Sequence, residues 1–349
     1  MNLPNFWFWI VAVFWTGFFV LEGFDFGVGV LHRFVGTTDV ERRIAINSIG
    51  PFWDGNEVWL IVGGAAIFAA FPTWYATWFS AGYLALLLIL LALMLRGVSF
   101  EFRGRLDSGR WRGSWSWALV VGSALAPLLL GIALGDLLAG LSINNNQDFT
   151  GSFWSLFQPY GVYFGVTMLA LSLLHGATFL GIRTTGAVRD RAHAVGSWLS
   201  WIVAPIVIGY AIWTPIRSGH SLVRTILPPA LAALACLASI VLIGRRREGW
   251  AFVSTAIAIG ATTIGIFTNL FPNVMVSSTA AANNLTVSST SSSHYALQVM
   301  TVVALIFTPL VLAYQTWTYV VFRRRIGAPV HLPSIPTPTT PPEQRGATA

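Results

Sequence analysis

The sequence predicts an all-α membrane protein of nine transmembrane helices, N-terminus outside and C-terminus cytoplasmic. Three observations carry that expectation. Only 9% of the 349 residues are charged and 55% are hydrophobic, whereas a soluble domain carries about 25% charged residues. Apolar runs close to the ~20 residues that cross a bilayer recur along the chain. Basic residues collect in every second connection, as the positive-inside rule asks of cytoplasmic loops.

The runs follow in order. The first, 6–31, opens on Phe6-Trp7-Phe8-Trp9, an aromatic belt at the headgroup level. It lacks a basic leader and a small-residue cleavage site, so it is expected to remain in place. Glu22 and Asp25 interrupt it, and Gly23, Gly27 and Gly29 would let another helix approach closely. The first loop holds Arg33, Arg42 and Arg43. Thr37-Thr38-Asp39 offers N-caps, and Ile44 to Asn47 continues a helical pattern, so the second helix is expected to start early and to kink at Pro51. Its apolar part, 54–71, begins within Pro51-Phe52-Trp53-Asp54-Gly55-Asn56-Glu57-Val58-Trp59-Leu60.

The third run, 75–96, leads into a loop with Arg103, Arg105, Arg110 and Arg112, and Arg96 stands at its edge. The fourth, 115–140, carries Asp136 near its outer end, expected to act as an interfacial cap or to pair with an external Arg. The fifth, 158–182, holds His175, read as a hydrogen-bonded structural side chain. Arg183, Arg189 and Arg191 follow it, and then come the runs 197–216 and 222–244. Cys236, the single cysteine, lies in the latter as a packing residue, so no internal disulfide forms. Arg245 to Arg247 precede the eighth run, 249–271. Ser277 to Ser293, rich in Ser, Thr and Asn, reads as an irregular external connection. The ninth run, 295–322, ends at Arg323 to Arg325. Only Arg217 and Arg224 fall in the opposite loops. Residues 1–325 thus form one polytopic membrane domain, and 326–349 a Pro- and Thr-rich disordered cytoplasmic tail.

All twenty basic residues are Arg, and their place in short loops orients spans. The net charge of +7 therefore does not point to nucleic acid. No phosphate loop, nicotinamide fingerprint or paired His motif occurs, so no cofactor or metal is assigned to this chain.

The acids carry the functional signal. Asp54 and Glu57 share a helix face, as do Glu22 and Asp25. At 1.5 Å per residue, Asp25 lies about 30 Å along the first helix and Asp54 about 25 Å from the outer end of the second. Both levels fall in the cytoplasmic half. The acids either pair with Arg33, Arg42 or Arg43 at the inner surface, or line a proton path from the cytoplasm. No Arg lies between Gly50 and Leu95, and this excess of acids favours the path. A proton-coupled secondary transporter would use the same acids and is the alternative reading; a purely structural scaffold would leave them unexplained.

Several stretches carry a resemblance. Gly23-Phe24-Asp25-Phe26-Gly27-Val28-Gly29, Glu41 to Ile49, Trp53-Asp54-Gly55-Asn56-Glu57-Val58-Trp59-Leu60, Arg96 to Arg103, Gly176-Ala177-Thr178 and Phe271 to Met275 with Ser277-Ser278-Thr279 resemble subunit II of the cytochrome bd-type quinol oxidases. The resemblance covers about residues 1–325. It implies a bacterial cytoplasmic-membrane protein with two four-helix bundles plus one helix, paired with a similarly folded subunit I. It implies that subunit I holds the b and d haems, that quinol and O2 are the substrates of the complex, and that this chain does no redox chemistry itself. It implies proton-transfer roles for Asp25 and Asp54. Glu22 joins them at a position that is also acidic in the family, and Glu57 falls where Gln is also found. The resemblance admits small single-span accessory subunits, and a structural menaquinone or lipid between helices.

Overall fold

The computed structural model describes residues 2–218 and 222–327. Helix α1 (Leu3–Val35) is capped by the Asn2 side chain, with Pro4 in its first turn. Helix α2 (Asp39–Ile49) starts at the expected place: Thr38 and Glu41 form a reciprocal capping box. The expected kink at Pro51 is instead a break. Residues 50–52 turn, and a separate helix α3 (Trp53–Ala70) begins. Proline has no N–H to donate and its ring crowds the preceding turn, which favours ending the helix there.

The third predicted run is likewise divided, into α4 (Pro72–Ala81) and α5 (Tyr83–Phe102), with Gly82 between them. Then follow α6 (Gly109–Ala139), α7 (Pro159–Arg183), α8 (Gly186–Ser218), α9 (Leu222–Gly244) and α10 (Glu248–Leu270). A short antiparallel pair, β1 (Asn273–Met275) and β2 (Leu285–Thr286), leads through α11 (Val287–Thr290) to α12 (His294–Val321). Among the described residues eight helices, α1, α5 to α10 and α12, are long and apolar enough to cross a membrane. Helix α3, on the second predicted run, has 18 residues, about 27 Å at 1.5 Å per residue; the polar residues of its first turn dilute its hydropathy.

Helix α1 sits against α3, α6, α7 and α10. Glycine makes this closeness physical. A Cβ on Gly27 would lie 2.8 Å from Cα of Gly176 and would strike the Ser172 carbonyl, so α1 and α7 meet backbone to backbone. A Cβ on Gly29 would meet Ser123 of α6. Around this contact Phe24 stacks on Phe179 at 4.1 Å. Helix α7 is accordingly 72% buried along its apolar window, whereas α12 is 6% buried and lies at the periphery.

The connection expected to be irregular is ordered. Ser277 Oγ and Asn283 Nδ2 both donate to the Ile143 carbonyl, at 3.1 and 3.0 Å, and Ser292 Oγ donates to the Ala69 carbonyl at 2.6 Å. Its hydroxyls and amides are spent satisfying backbone groups, which accounts for a composition that looks like a loose loop. Asp136 is 2% exposed and accepts the Gln158 backbone N–H at the head of α7. It caps a neighbouring helix, and no Arg pairs with it among the described residues. Arg217 turns to the Ala139 carbonyl instead. Ile326 exchanges backbone hydrogen bonds with Arg183 and Thr185, at 2.8 and 3.1 Å, so the chain is tied down as far as the first residue of the predicted tail. The rest of that tail from residue 328, with His331, and His220 lie outside the described residues.

Two outcomes follow. Gly27→Ala wedges α1 from α7 and costs about 1–3 kcal/mol, measured as a lower melting temperature of the purified complex. Glu41 is held down to about 2 by Arg191, which lies 2.5 Å away, and by Thr37 and Thr38. A depressed carboxylate stabilises the fold above its unfolded value and loses that contribution as pH falls. The melting-temperature gap between wild type and Glu41→Gln is therefore constant above about pH 4.5 and closes toward about pH 2.

Candidate functional site

The site forms where four helices converge. On α1, Glu22 and Asp25 lie on one face and are both fully buried. Helix α3 turns Asn56 inward, in line with Gly63, Ile67 and Ala70 on its buried face. Helix α5 supplies Arg96 and α12 supplies Gln315 and Tyr319.

Arg96 is the residue whose place sequence reasoning misjudged. It belongs not to the loop edge but to the interior, with zero exposure. Its Nη1 lies 2.5 Å from Oε1 of Glu22 and 3.4 Å from Oε2 of Glu57. The guanidinium carbon sits 5.0 Å from the Phe26 ring, 5.4 Å from Phe100 and 5.8 Å from Trp53. These faces stabilise a cation that water cannot reach. A Cβ on Gly122 would meet the Arg96 backbone, so the missing side chain lets α6 press against α5 there. The signal was present: Arg96 has apolar residues on both sides, seven positions ahead of the next Arg.

The first-loop arginines do not take the acids. Arg42 Nε donates to the Gly36 carbonyl at 3.0 Å, and Arg33 lies over Trp117. Glu57 is half-buried, its side chain 22% exposed. Asp54 is exposed and has no ion-pair partner among the described residues, so it does not join Asp25 although the two fall at similar levels. The reason is angular. Residues two apart on a helix point about 200° from each other, so turning Asn56 inward turns Asp54 outward.

Asn56 was quoted for its motif but not for its role, and it is the hub. Its Nδ2 donates to Oδ2 of Asp25 at 2.7 Å and to the Leu21 carbonyl at 3.1 Å. Its Oδ1 accepts from Gln315 Nε2 and from the Tyr319 hydroxyl, both at 3.0 Å. Gln315 Oε1 accepts from Trp59 Nε1 at 2.9 Å. Tyr319 also stacks on Phe52 at 4.6 Å. Gln315 and Tyr319, four apart on the last span, were the legible but unread signal.

The cluster holds three carboxyls, Glu22, Asp25 and Glu57, around one guanidinium. No haem fit appears at His175: Nε2 donates to the Val20 carbonyl at 3.2 Å, and Nδ1 takes the Thr255 hydroxyl at 2.7 Å. No group of three or more His, Cys, Asp or Glu side chains is placed to hold a metal ion among the described residues.

Residues 3–322 match the family model of cytochrome bd terminal oxidase subunit II. The chain belongs to that family. It is 41% identical over 329 residues to cytochrome bd ubiquinol oxidase subunit 2 of Bacillus subtilis, covering 93% of this chain and 97% of that one. It is 36% identical over 349 residues to the cytochrome bd-I ubiquinol oxidase subunit 2 of Escherichia coli, covering 90% and 92%. The fold resembles a chain of the bd oxidase from Geobacillus thermodenitrificans, with a TM-score of 0.66 at 16% identity over 92% of this chain and 99% of that one. The oxidase-subunit reading therefore stands over the transporter, and the chain is a multi-pass protein of the bacterial inner membrane.

Replacing Arg96 by Gln strands Glu22 as a buried unpaired charge. We expect a loss of about 3–5 kcal/mol, seen as poor recovery of the two-subunit complex, with partial recovery in Arg96→Gln combined with Glu22→Gln.

Proposed function

We propose that this subunit II supplies the cytoplasmic proton path of a quinol:O2 oxidoreductase, with Asp54, Glu57, Glu22 and Asp25 as its groups. The observation that carries this reading is a ladder of exposure. Asp54 is open to its surroundings, Glu57 is half-buried one turn further on, and Glu22 and Asp25 are fully enclosed. Arg96 contacts both Glu57 and Glu22, so the half-buried acid and an enclosed one are held against the same cation. Three carboxyls against one guanidinium leave acid in excess. A buried, uncompensated carboxylate is costly, so the cluster gains from taking up a proton. That is the property a relay needs.

In this reading the chain crosses the membrane nine times as two four-helix bundles plus one helix, with α3 as the second span. The arginine-rich end is cytoplasmic, and that places Asp54 on the side from which protons are taken. Subunit I holds the b and d haems and the quinol site, and reduces O2 to water. The uncovered sides of α5 and α12, 28% and 6% buried, supply surface for subunit I and lipid. A groove of about 700 Å³ between α1, α9, α10 and α12 is lined mainly by apolar groups such as Val13, Leu231, Ile264 and Leu312. Of its polar residues, Gln315 and Tyr319 are already engaged with Asn56, which leaves Thr16 and Thr316 among the apolar groups. The groove therefore suits an apolar tail, of lipid or menaquinone, better than a quinone head.

Purified complex carrying Asp25→Asn should keep its haem spectrum and lose oxygen consumption by roughly a hundredfold. Asp54→Asn, at the exposed end where other acceptors of a proton are available, should lose less. Normal turnover in Asp25→Asn with intact haems removes Asp25 from the path.

A further inference from the structure

The hydrogen bonds around Asn56 have directions that can be assigned without seeing a hydrogen. An indole N–H only donates. The Gln315 atom 2.9 Å from Trp59 Nε1 is therefore its oxygen, and the other arm of that amide is its NH2 group. That group donates to Asn56, so the Asn56 atom facing it is also oxygen. A backbone carbonyl only accepts, and the Leu21 carbonyl lies 3.1 Å from the opposite arm of Asn56, which must then be nitrogen. Two independent constraints agree. The chain Trp59 → Gln315 → Asn56 → Asp25 runs one way, and it ends at Oδ2 of Asp25 at 2.7 Å.

The other oxygen is different. Oδ1 of Asp25 is buried and, Glu22 apart, has no hydrogen-bond partner among the described residues. Glu22, one turn earlier on the same helix, is near enough to interact with Asp25. In a protonated carboxyl the carbonyl oxygen is the better acceptor and the hydroxyl the donor. A donor fixed on Oδ2 thus makes Oδ2 the carbonyl and leaves the proton to Oδ1.

Building on the proton-path reading, we propose that Asp25 carries its transferred proton on Oδ1, and that Gln315 and Tyr319 of α12 are positioning residues that enforce this through Asn56. Both donate to Oδ1 of Asn56, so the amide cannot turn its oxygen toward Asp25 without losing three hydrogen bonds, two of them to α12 and one to the Leu21 carbonyl. Amide groups do not pass protons on at catalytic rates, so the chain orients and does not conduct. The last helix, otherwise barely packed, thereby fixes which oxygen of the innermost acid takes the proton.

Infrared difference spectra of the whole two-subunit complex test this. The carbonyl stretch of protonated Asp25 is the band that disappears in Asp25→Asn. In the wild type it should fall at the low frequency of a hydrogen-bonded carbonyl, because Oδ2 accepts from Asn56. Removing both donors in Gln315→Leu with Tyr319→Phe should move the band to higher frequency and slow oxygen consumption about tenfold, more than the product of the two single effects. Reduction of the haems by quinol should stay unchanged. A wild-type band already at the free-carbonyl frequency, no Asp25-dependent band at all, or a band indifferent to the double variant overturns the proposal. The wild-type measurement decides even if the double variant assembles poorly. Failure of the proton-path reading shows separately, as normal turnover in Asp25→Asn, wherever the band lies.

Discussion

One guanidinium holds the site together. Arg96 is fully enclosed, and the charge it brings into the interior is the reason Glu22 can be there at all. A lone buried carboxylate would be prohibitively unfavourable, and so would a lone buried guanidinium. Aromatic faces from α1, α3 and α5 surround the cation where water is excluded. Each acid then finds its own degree of compensation: Glu22 close to the cation, Glu57 further off, Asp25 held by an amide. The functional reading depends on those differences.

The glycines make that geometry reachable. Glycine-to-glycine contact between α1 and α7 and the bare Gly122 against α5 draw the backbones together, so short acidic side chains on α1 can meet a long arginine from α5. Larger residues at these points would hold the helices apart and open the cluster. Packing and chemistry are therefore not separable in this half of the molecule. The other half shows the contrast. Around His175 every polar ring atom is satisfied within the protein, and the result is a structural core.

Helix α12 occupies an unusual position. It is peripheral by burial, yet it reaches the centre of the site through two polar side chains. Those contacts tie the geometry of Asp25 to an outer helix that the rest of the chain leaves largely uncovered. This is a physical route by which assembly could tune the innermost acid, and it comes from one turn of α12.

Much of this was legible from composition and spacing alone. The low charge, the apolar runs and the alternating arginines required a helical membrane protein, because only helices and closed barrels satisfy backbone groups in lipid. The acids on α1 and the WDGNEVWL stretch pointed to the candidate site, since charged groups in such runs need a reason to be there. The break at Pro51 and the capping box at Thr38 follow from local chemistry. What sequence could not decide was which cation meets which acid. Periodicity shows a face and not its partner, so Arg96 looked like the rim of a loop and Asp54 could not be told apart from the enclosed acids. Only the packing of α5 against α6, and the turn of α3 that sends Asn56 inward, separated the enclosed acids from the exposed one. Contacts between residues far apart in the chain, such as Asn56 with Tyr319, arise from tertiary packing, and no local rule encodes them.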